Sequence, residues 1–191
     1  MPKKKKIPND NISALLGAIN PKFIDTDDFM DVVQWNLRWF NSNEPARVKK
    51  IEQVLTALNS DIFVFQEIAD GSLDGIAKSL SDKGLGSYQV AYGKTGGQQR
   101  VAVMWDMEWV RSKDDTTELF GKNTVTTPSG KDVFPRLPLW NYFYCKSTVS
   151  RKRGFDFQLV GLHLKSQMDK GGTGDDDLQR RLSSAKLADW L

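Results

Sequence analysis

Two short apolar runs, each closed by a polar residue, constrain this chain more than any other feature. Ile62-Phe63-Val64-Phe65 ends on Gln66-Glu67, and earlier in the chain Val33-Gln34-Trp35 ends on Asn36. Both read as strands, and the continuous one, Ile62 to Phe65, as a strand covered on both faces. The spacing predicts strands over Asp31 to Leu37 and Asp61 to Gln66. Between them Asn43-Glu44-Pro45 opens a helix, with Pro45 at its first position. Val48, Ile51, Val54, Leu55 and Leu58 then recur at helical spacing. Leu73, Ile76, Ala77 and Leu80 mark a second amphipathic helix, ended by Gly84.

Beyond Gly86 the pattern turns β-rich. Tyr88 to Tyr92, a Gly93–Gly97 turn and Arg100 to Trp105 read as a hairpin. Over Leu139 to Val149, Leu139, Asn141, Phe143, Cys145, Ser147 and Val149 share one face, and Trp140, Tyr142 and Tyr144 the other. Arg151 to Gly154 is a basic turn into a strand over Phe155 to Leu164, and Gly171 to Gly174 is a flexible loop. Asp175 to Leu191 is a helix, acidic at its start as the macrodipole prefers. Its Leu178, Leu182, Ala185, Ala188 and Leu191 are expected to face the core. At the other end, residues 1–10 read as a disordered basic lead, followed by a short helix over Asn11 to Ile19 that Pro21 stops. The division is thus 1–30, a lead and short helix, and 31–191, the domain proper.

Composition sets outer limits. A chain of 191 residues, 39% hydrophobic and 27% charged, fits one soluble globular domain. No apolar run approaches the roughly 18 residues of a membrane span. Lys3 to Lys6 lack an apolar stretch behind them, so they are not a secretory signal, and a cytoplasmic location is expected. One cysteine excludes an internal disulfide and a cysteine-based zinc site. The net charge of +3 comes from the tail: without Lys3 to Lys6, 23 basic residues face 24 acidic ones. Charge alone therefore does not argue for a nucleic-acid partner.

The chemistry lies at the strand ends. A carboxylate (Glu67) and an amide oxygen (Asn36) delivered to a sheet rim suit a hard cation such as Mg²⁺, which takes oxygen ligands and keeps several waters. His163 closes a third apolar run. Taken singly, Glu67 reads as a surface carboxylate, Asn36 as a turn former and Arg136 as an ion-pair residue; as a set they read as a site. Asp61 reads as a cap on its strand. Asp175 to Asp177 are explained by the helix start. Trp35, Trp39 and Trp105 read as core.

Five segments in order carry a resemblance. They are Val33-Gln34-Trp35-Asn36, Asp61 to Glu67, Gln99 to Trp105, Phe134-Pro135-Arg136-Leu137-Pro138, and Gly161-Leu162-His163-Leu164-Lys165-Ser166. Together they resemble the endonuclease/exonuclease/phosphatase superfamily, most nearly its bacterial nuclease-like members. The resemblance implies an α+β fold, a four-layer α-β-β-α sandwich of deoxyribonuclease-I type, and hydrolysis of phosphate esters with Mg²⁺ (or Mn²⁺ or Ca²⁺). By position it makes Glu67 the metal-ligating carboxylate and Asn36 its hydrogen-bonding neighbour or second ligand. His163 would contact the scissile phosphate. Arg136, with Arg100 and Lys165 at the cleft edge, would bind phosphate. Gln99 stands where some nucleases carry a Glu paired with this histidine, which argues against His163 as a charged general acid.

Two family motifs, Gly-Asp-x-Asn and Ser-Asp-His, have no counterpart here, since no Asn follows Asn141 and His163 is the sole histidine. The expectation is therefore the N-terminal part of such a domain, incomplete at its C-terminus and with strands of its second sheet missing. Little phosphodiesterase activity is expected of it alone. The expected substrate is nucleic acid, DNA before RNA, and a complementary C-terminal segment is a candidate partner. Alternatives are a phosphatase or phospholipase on small phosphate esters, and a non-catalytic fragment that binds nucleic acid or a partner protein.

Overall fold

The computed structural model describes residues 29–147, 153–165 and 175–191. The expected lead, the Asn11–Ile19 helix, Val149, Arg151 and Lys152 of the basic turn, and the Gly171–Gly174 loop lie outside those residues.

The apolar runs become an edge strand and a central strand of one sheet. Strand β1 (Val32–Phe40) lies parallel to β2 (Ile62–Ile68), and helix α1 (Pro45–Leu58) makes the crossover. After α2 (Asp74–Asp82), β3 (Tyr88–Tyr92) and β4 (Arg100–Asp106) form the expected hairpin, and β4 returns antiparallel to β2. The sheet order is β1-β2-β4-β3. A second sheet is built on β7 (Leu139–Cys145), flanked by the short strands β5 (Val110–Ser112) and β6 (Thr117–Glu118) on one side and by β8 (Phe155–Gly161) on the other. Periodicity did not reveal β5 and β6, because two or three residues are too few to show a period of two.

Alternation along the strands makes two cores. Phe63, Phe65, Ala102 and Met104 face α1 and α2, joining Leu55, Leu73 and Leu80. Ile62, Val64, Val101, Val103 and Trp105 face the second sheet, meeting Leu139 and Phe143. A central strand buried on both faces must be apolar throughout, which explains the unbroken run in β2. Each large side chain buried here stabilises the fold by about 1.5–3 kcal/mol before entropy is counted. On β7, Leu139, Asn141, Phe143 and Cys145 are buried, whereas Trp140, Tyr142 and Tyr144 are half-buried on the opposite face.

Helix α3 (Asp175–Trp190) differs from its expected packing. Ala185 and Ala188 are exposed and Leu191 is 93% exposed; the buried positions are Asp176, Gln179 and Ser183. The helix docks on the loop before β7 instead. Leu182 and Leu187 pack against Val133, Phe134 and Leu137. Ser183 Oγ donates to the Val133 carbonyl at 2.9 Å, and Gln179 Nε2 donates to the Asp132 carbonyl at 2.5 Å. A loop presents unpaired backbone carbonyls, so the face that meets it is polar. Trp39 also departs from its expected burial, at 56% exposed, whereas Trp105 is core at 2%.

Candidate active site

The site sits where β1 and β2 both lose their regular pairing. On β2, Gln66 pairs with Val101 and Ile68 with Arg100, so two steps on one strand match one on the other. Glu67 is the extra residue, with φ of 57°. On β1 the register slips between Asn36 and Phe40, and Arg38 and Trp39 take φ of 45° and 58°. Such bulges re-aim a side chain and switch the alternation. Phe63 and Phe65 face the helices, and after the bulge Ile68 does too; likewise Leu37 and then Phe40. A positive φ costs a non-glycine residue about 1–3 kcal/mol and concentrates at functional sites. Arg47 braces the β1 bulge by donating from its guanidinium to the carbonyls of Leu37 and Arg38.

The outcome is a compact cluster. Asn36 Nδ2 donates to Glu67 Oε1 at 3.0 Å, and His163 Nε2 lies 3.4 Å from the same oxygen. Asn36 Oδ1 accepts from the Arg38 N–H at 2.8 Å. These two bonds orient the amide: Nδ2 holds Glu67, and Oδ1, the oxygen expected as a second metal ligand, takes the Arg38 N–H on one of its two lone pairs. Both polar contacts on the carboxylate fall on Oε1, and among the described residues none falls on Oε2. One carboxylate oxygen open to the cleft fits a Mg²⁺ ion that keeps waters and takes its other ligands from a substrate phosphate. Among the described residues no three His, Cys, Asp or Glu side chains cluster to form a fuller protein cage.

His163 lies two residues beyond the end of β8, in the following loop, not within the strand as its run predicts. Its position is set from the other sheet, where Gln66 Nε2 donates to the Leu162 carbonyl at 3.0 Å. Gly161 permits the approach. A Cβ there would lie 2.8 Å from Val101 Cγ1 and 3.2 Å from Val64 Cγ1. Burial, and then the nearby Arg136 charge, push the imidazole pKa below its usual 6.5; the Glu67 carboxylate and then a backbone bond to Gln99 oppose them in part. The balance favours the neutral imidazole at pH 7.

Arg136 comes from the loop before β7. Its guanidinium donates to Gln99 Oε1, and its stem crosses Gly96 so closely that a Cβ there would meet Cγ at 2.7 Å. Gly96 also has φ of 92°, so glycine is required twice over. Burial lowers the Arg136 pKa and the Glu67 charge raises it. Because Gln99 is a neutral amide, it satisfies a guanidinium N–H without neutralising the charge.

The remaining expected contacts are placed differently. Arg100 donates to the carbonyls of Gly97 and Gly93 at 3.1 and 2.8 Å and lies 3.7 Å from Asp70. It closes the hairpin, and its guanidinium is occupied there. Lys165 Nζ lies 3.3 Å from Asp176 and shares with Arg136 a cavity of about 400 Å³. Asp61 Oδ2 accepts from the Asp31 N–H at 2.9 Å, capping the strand entry as expected. Asp175 to Asp177 form the first turn of α3. Gln66 is the positioning residue that the sequence did not single out. Its signal was present as an amide in an otherwise apolar strand, 5% exposed.

A sequence model described as the Endonuclease/Exonuclease/phosphatase family matches residues 33–179. No curated protein sequence matches the chain. Among solved structures, a humanized TDP2 of D. rerio carrying 14 mutations is similar with a TM-score of 0.54 and 15% identity, covering 82% of this chain and 55% of that one. An endonuclease/exonuclease/phosphatase family protein of Bacteroides thetaiotaomicron is similar with a TM-score of 0.54 and 21% identity, covering 83% and 57%. A mannosyl-6-phosphatase of Bacteroides thetaiotaomicron VPI-5482 gives a TM-score of 0.51 and 17% identity, covering 82% and 59%. The chain thus spans between 55 and 59% of the length of these structures, and at such identities the likeness is one of fold.

Proposed function

The chain belongs to the endonuclease/exonuclease/phosphatase family, whose members are hydrolases, and from that premise we propose that Glu67, Asn36, His163 and Arg136 serve divalent-cation-dependent hydrolysis of phosphate esters. The observation that carries this reading is the convergence of Asn36 and His163 on one oxygen of Glu67, beside an arginine whose charge acts on both Glu67 and His163.

Glu67 would hold Mg²⁺, Mn²⁺ or Ca²⁺ through Oε2, with Asn36 fixing the carboxylate's rotation. When bound, such a cation neutralises the ester's negative charge and polarises a phosphoryl oxygen. Arg136 offers guanidinium N–H groups to the other phosphate oxygens, a charge-assisted contact of the strong kind. His163 enters neutral, so its Nε2–H acts as a hydrogen-bond donor to the phosphate and not as a cation. The two strand bulges and the loops packed beside them hold these groups before substrate arrives, which is where electrostatic stabilisation gains most.

The motif series favours a bacterial-type endonuclease acting on DNA, in the cytoplasm, with the domain over 31–191 completed by a complementary C-terminal segment. The cavity beside Arg136 favours the second reading, a phosphatase on small esters. No described helix is long and apolar enough to cross a membrane.

The test runs Mn²⁺ binding by electron paramagnetic resonance beside plasmid nicking and small-ester hydrolysis with Mg²⁺, on wild type and Glu67→Gln. Cation binding and hydrolysis that both vanish in the variant are the expected result. Undiminished hydrolysis in Glu67→Gln, or no cation binding in wild type, overturns the assignment.

A further inference from the structure

We propose that Arg47, in the first turn of α1, is a positioning residue for the cation-binding carboxylate: it sets the β1 bulge, the bulge sets the Asn36 amide, and the amide sets Glu67. The inference rests on the divalent-cation reading of Glu67 and deepens it.

Every link of this relay is a hydrogen bond. One guanidinium nitrogen of Arg47, Nη2, donates to the carbonyl of Leu37 and, at 2.6 Å, to that of Arg38. The Arg38 N–H donates to Asn36 Oδ1 at 2.8 Å, and Asn36 Nδ2 donates to Glu67 Oε1 at 3.0 Å. The backbone that joins the first link to the second is bent. Arg38 and Trp39 follow one another at φ of 45° and 58°, and neither is glycine. Such residues keep a left-handed conformation only where their surroundings impose it. The bond from Asn36 Oδ1 to the N–H two residues on is an Asx turn, which needs a bent chain. A straightened β1 would carry the Arg38 N–H away from Asn36 and free the amide that holds Glu67.

Arg47 is anchored for this task. Its Nη1 lies 3.6 Å from Glu44 Oε1, and its guanidinium carbon lies 5.7 Å from the centre of the buried Phe40 ring. Phe40 in turn ends the bulge, pairing with Ile68, the residue after Glu67. Helix stability does not call for the residue. Arg47 is third in α1, and a cation in the first turn opposes the macrodipole. Substrate phosphate has no claim on Nη2, since both of its hydrogens are given to carbonyls. A planar guanidinium holds two adjacent carbonyls in a way that an ammonium does not reproduce.

Mn²⁺ affinity by electron paramagnetic resonance tests the relay on the full chain, in Arg47→Met, Asn36→Leu and the double variant, each checked for a cooperative melt. Groups that orient a metal ligand are typically worth about 10–100-fold in affinity. Asn36→Leu should fall in that range, and Arg47→Met, one link further out, should bind roughly three- to tenfold more weakly than wild type. Loss of a positive charge by itself favours a nearby cation, so a weakened site reports lost geometry. The double variant should be no weaker than Asn36→Leu, because both changes act on one contact. In the metal-free protein the side-chain amide resonances of Asn36, assigned by their disappearance in Asn36→Leu, should shift in Arg47→Met.

Wild-type affinity in a folded Arg47→Met overturns the proposal, and so does a double variant weakened by the product of the single effects. Unmoved Asn36 amide resonances overturn the relay and leave the cation site standing. Absence of Mn²⁺ binding in wild type overturns the reading of Glu67 beneath it. If Arg47→Met fails to fold, Arg47→Lys decides: it keeps the charge without the fork and should bind roughly twofold more weakly or worse, and wild-type affinity there overturns the proposal.

Discussion

Gln66 donates from Nε2 to the carbonyl of Leu162 at 3.0 Å, so the residue before Glu67 holds the residue before His163. Glu67 and His163, carried by different sheets, meet because their immediate neighbours are bonded to each other. Gln66→Leu keeps the volume and removes the donor. The expected loss is about 1–2 kcal/mol, or roughly 2–8 °C in Tm for a chain of this size, with a moved His163 Cε1–H resonance. A variant matching wild type in both measurements rules out the clamp.

Glu67 is placed for chemistry at the expense of backbone comfort, with φ of 57°. Its carboxylate is 17% exposed and makes no ion pair that the fold depends on beyond the neutral His163. Glu67→Gln is expected to melt within about 2 °C of wild type while Mn²⁺ affinity drops at least tenfold. A large loss of Tm with cation binding retained would reverse the assignment.

His163 is the sole histidine, so one proton resonance reports it. In the metal-free protein its titration midpoint should fall below 6.5, because burial and Arg136 disfavour the imidazolium. Between the folded pKa and the ordinary one, the unfolded chain binds a proton that the folded chain refuses. Stability is therefore undiminished above the ordinary value and is lost as pH falls through this window. Arg136→Met should raise the midpoint and Glu67→Gln should lower it further. Shifts in the same direction would contradict the pairwise arrangement.

Gly161→Ala forces a Cβ to within 2.8 Å of Val101 Cγ1 where the sheets converge on the site. Overpacking of this kind costs about 1–3 kcal/mol. Adding Val101→Ala removes the opposing methyl, so the double variant should be more stable than the two single effects predict. Strict additivity by denaturant titration would show that the contact is not the cause.

Glu52 on α1 ties that helix to α2. It accepts from Lys83 Nζ and, at 2.6 Å, from Ser79 Oγ. The Lys83 bond first, and then Ser79, hold its carboxyl below the usual 4.5. The stabilisation is present above that ordinary value and is lost as pH falls through the lowered one. Glu52→Gln should cost roughly 0.5–1 kcal/mol at pH 7 and nothing at pH 2. A difference that persists in acid would show that packing, not charge, supplies it.

Much of this was legible along the chain. The unbroken run Ile62 to Phe65 announced a doubly covered strand, and the alternation in Leu139 to Cys145 separated the two faces of β7 without saying which is buried. Pro45 marked the first turn of α1. The five-segment resemblance pointed to Asn36, Glu67, His163 and Arg136, which the fold gathers. It also pointed to Arg100, which the hairpin carbonyls occupy instead. A guanidinium satisfies any nearby acceptor, and nothing in its sequence neighbours says which.

Local pattern determined the strands, their faces and the polar residues that end them, because a period of two is written in adjacent side chains. The tertiary structure alone decided that Glu67 becomes the unpaired residue of a bulge, that Asn36 turns its oxygen to the Arg38 N–H, and that α3 docks through a polar face. A bulge is a mismatch between partners far apart in the chain, and a loop's free carbonyls exist only once the loop is closed. Neither can be read before the strands have met.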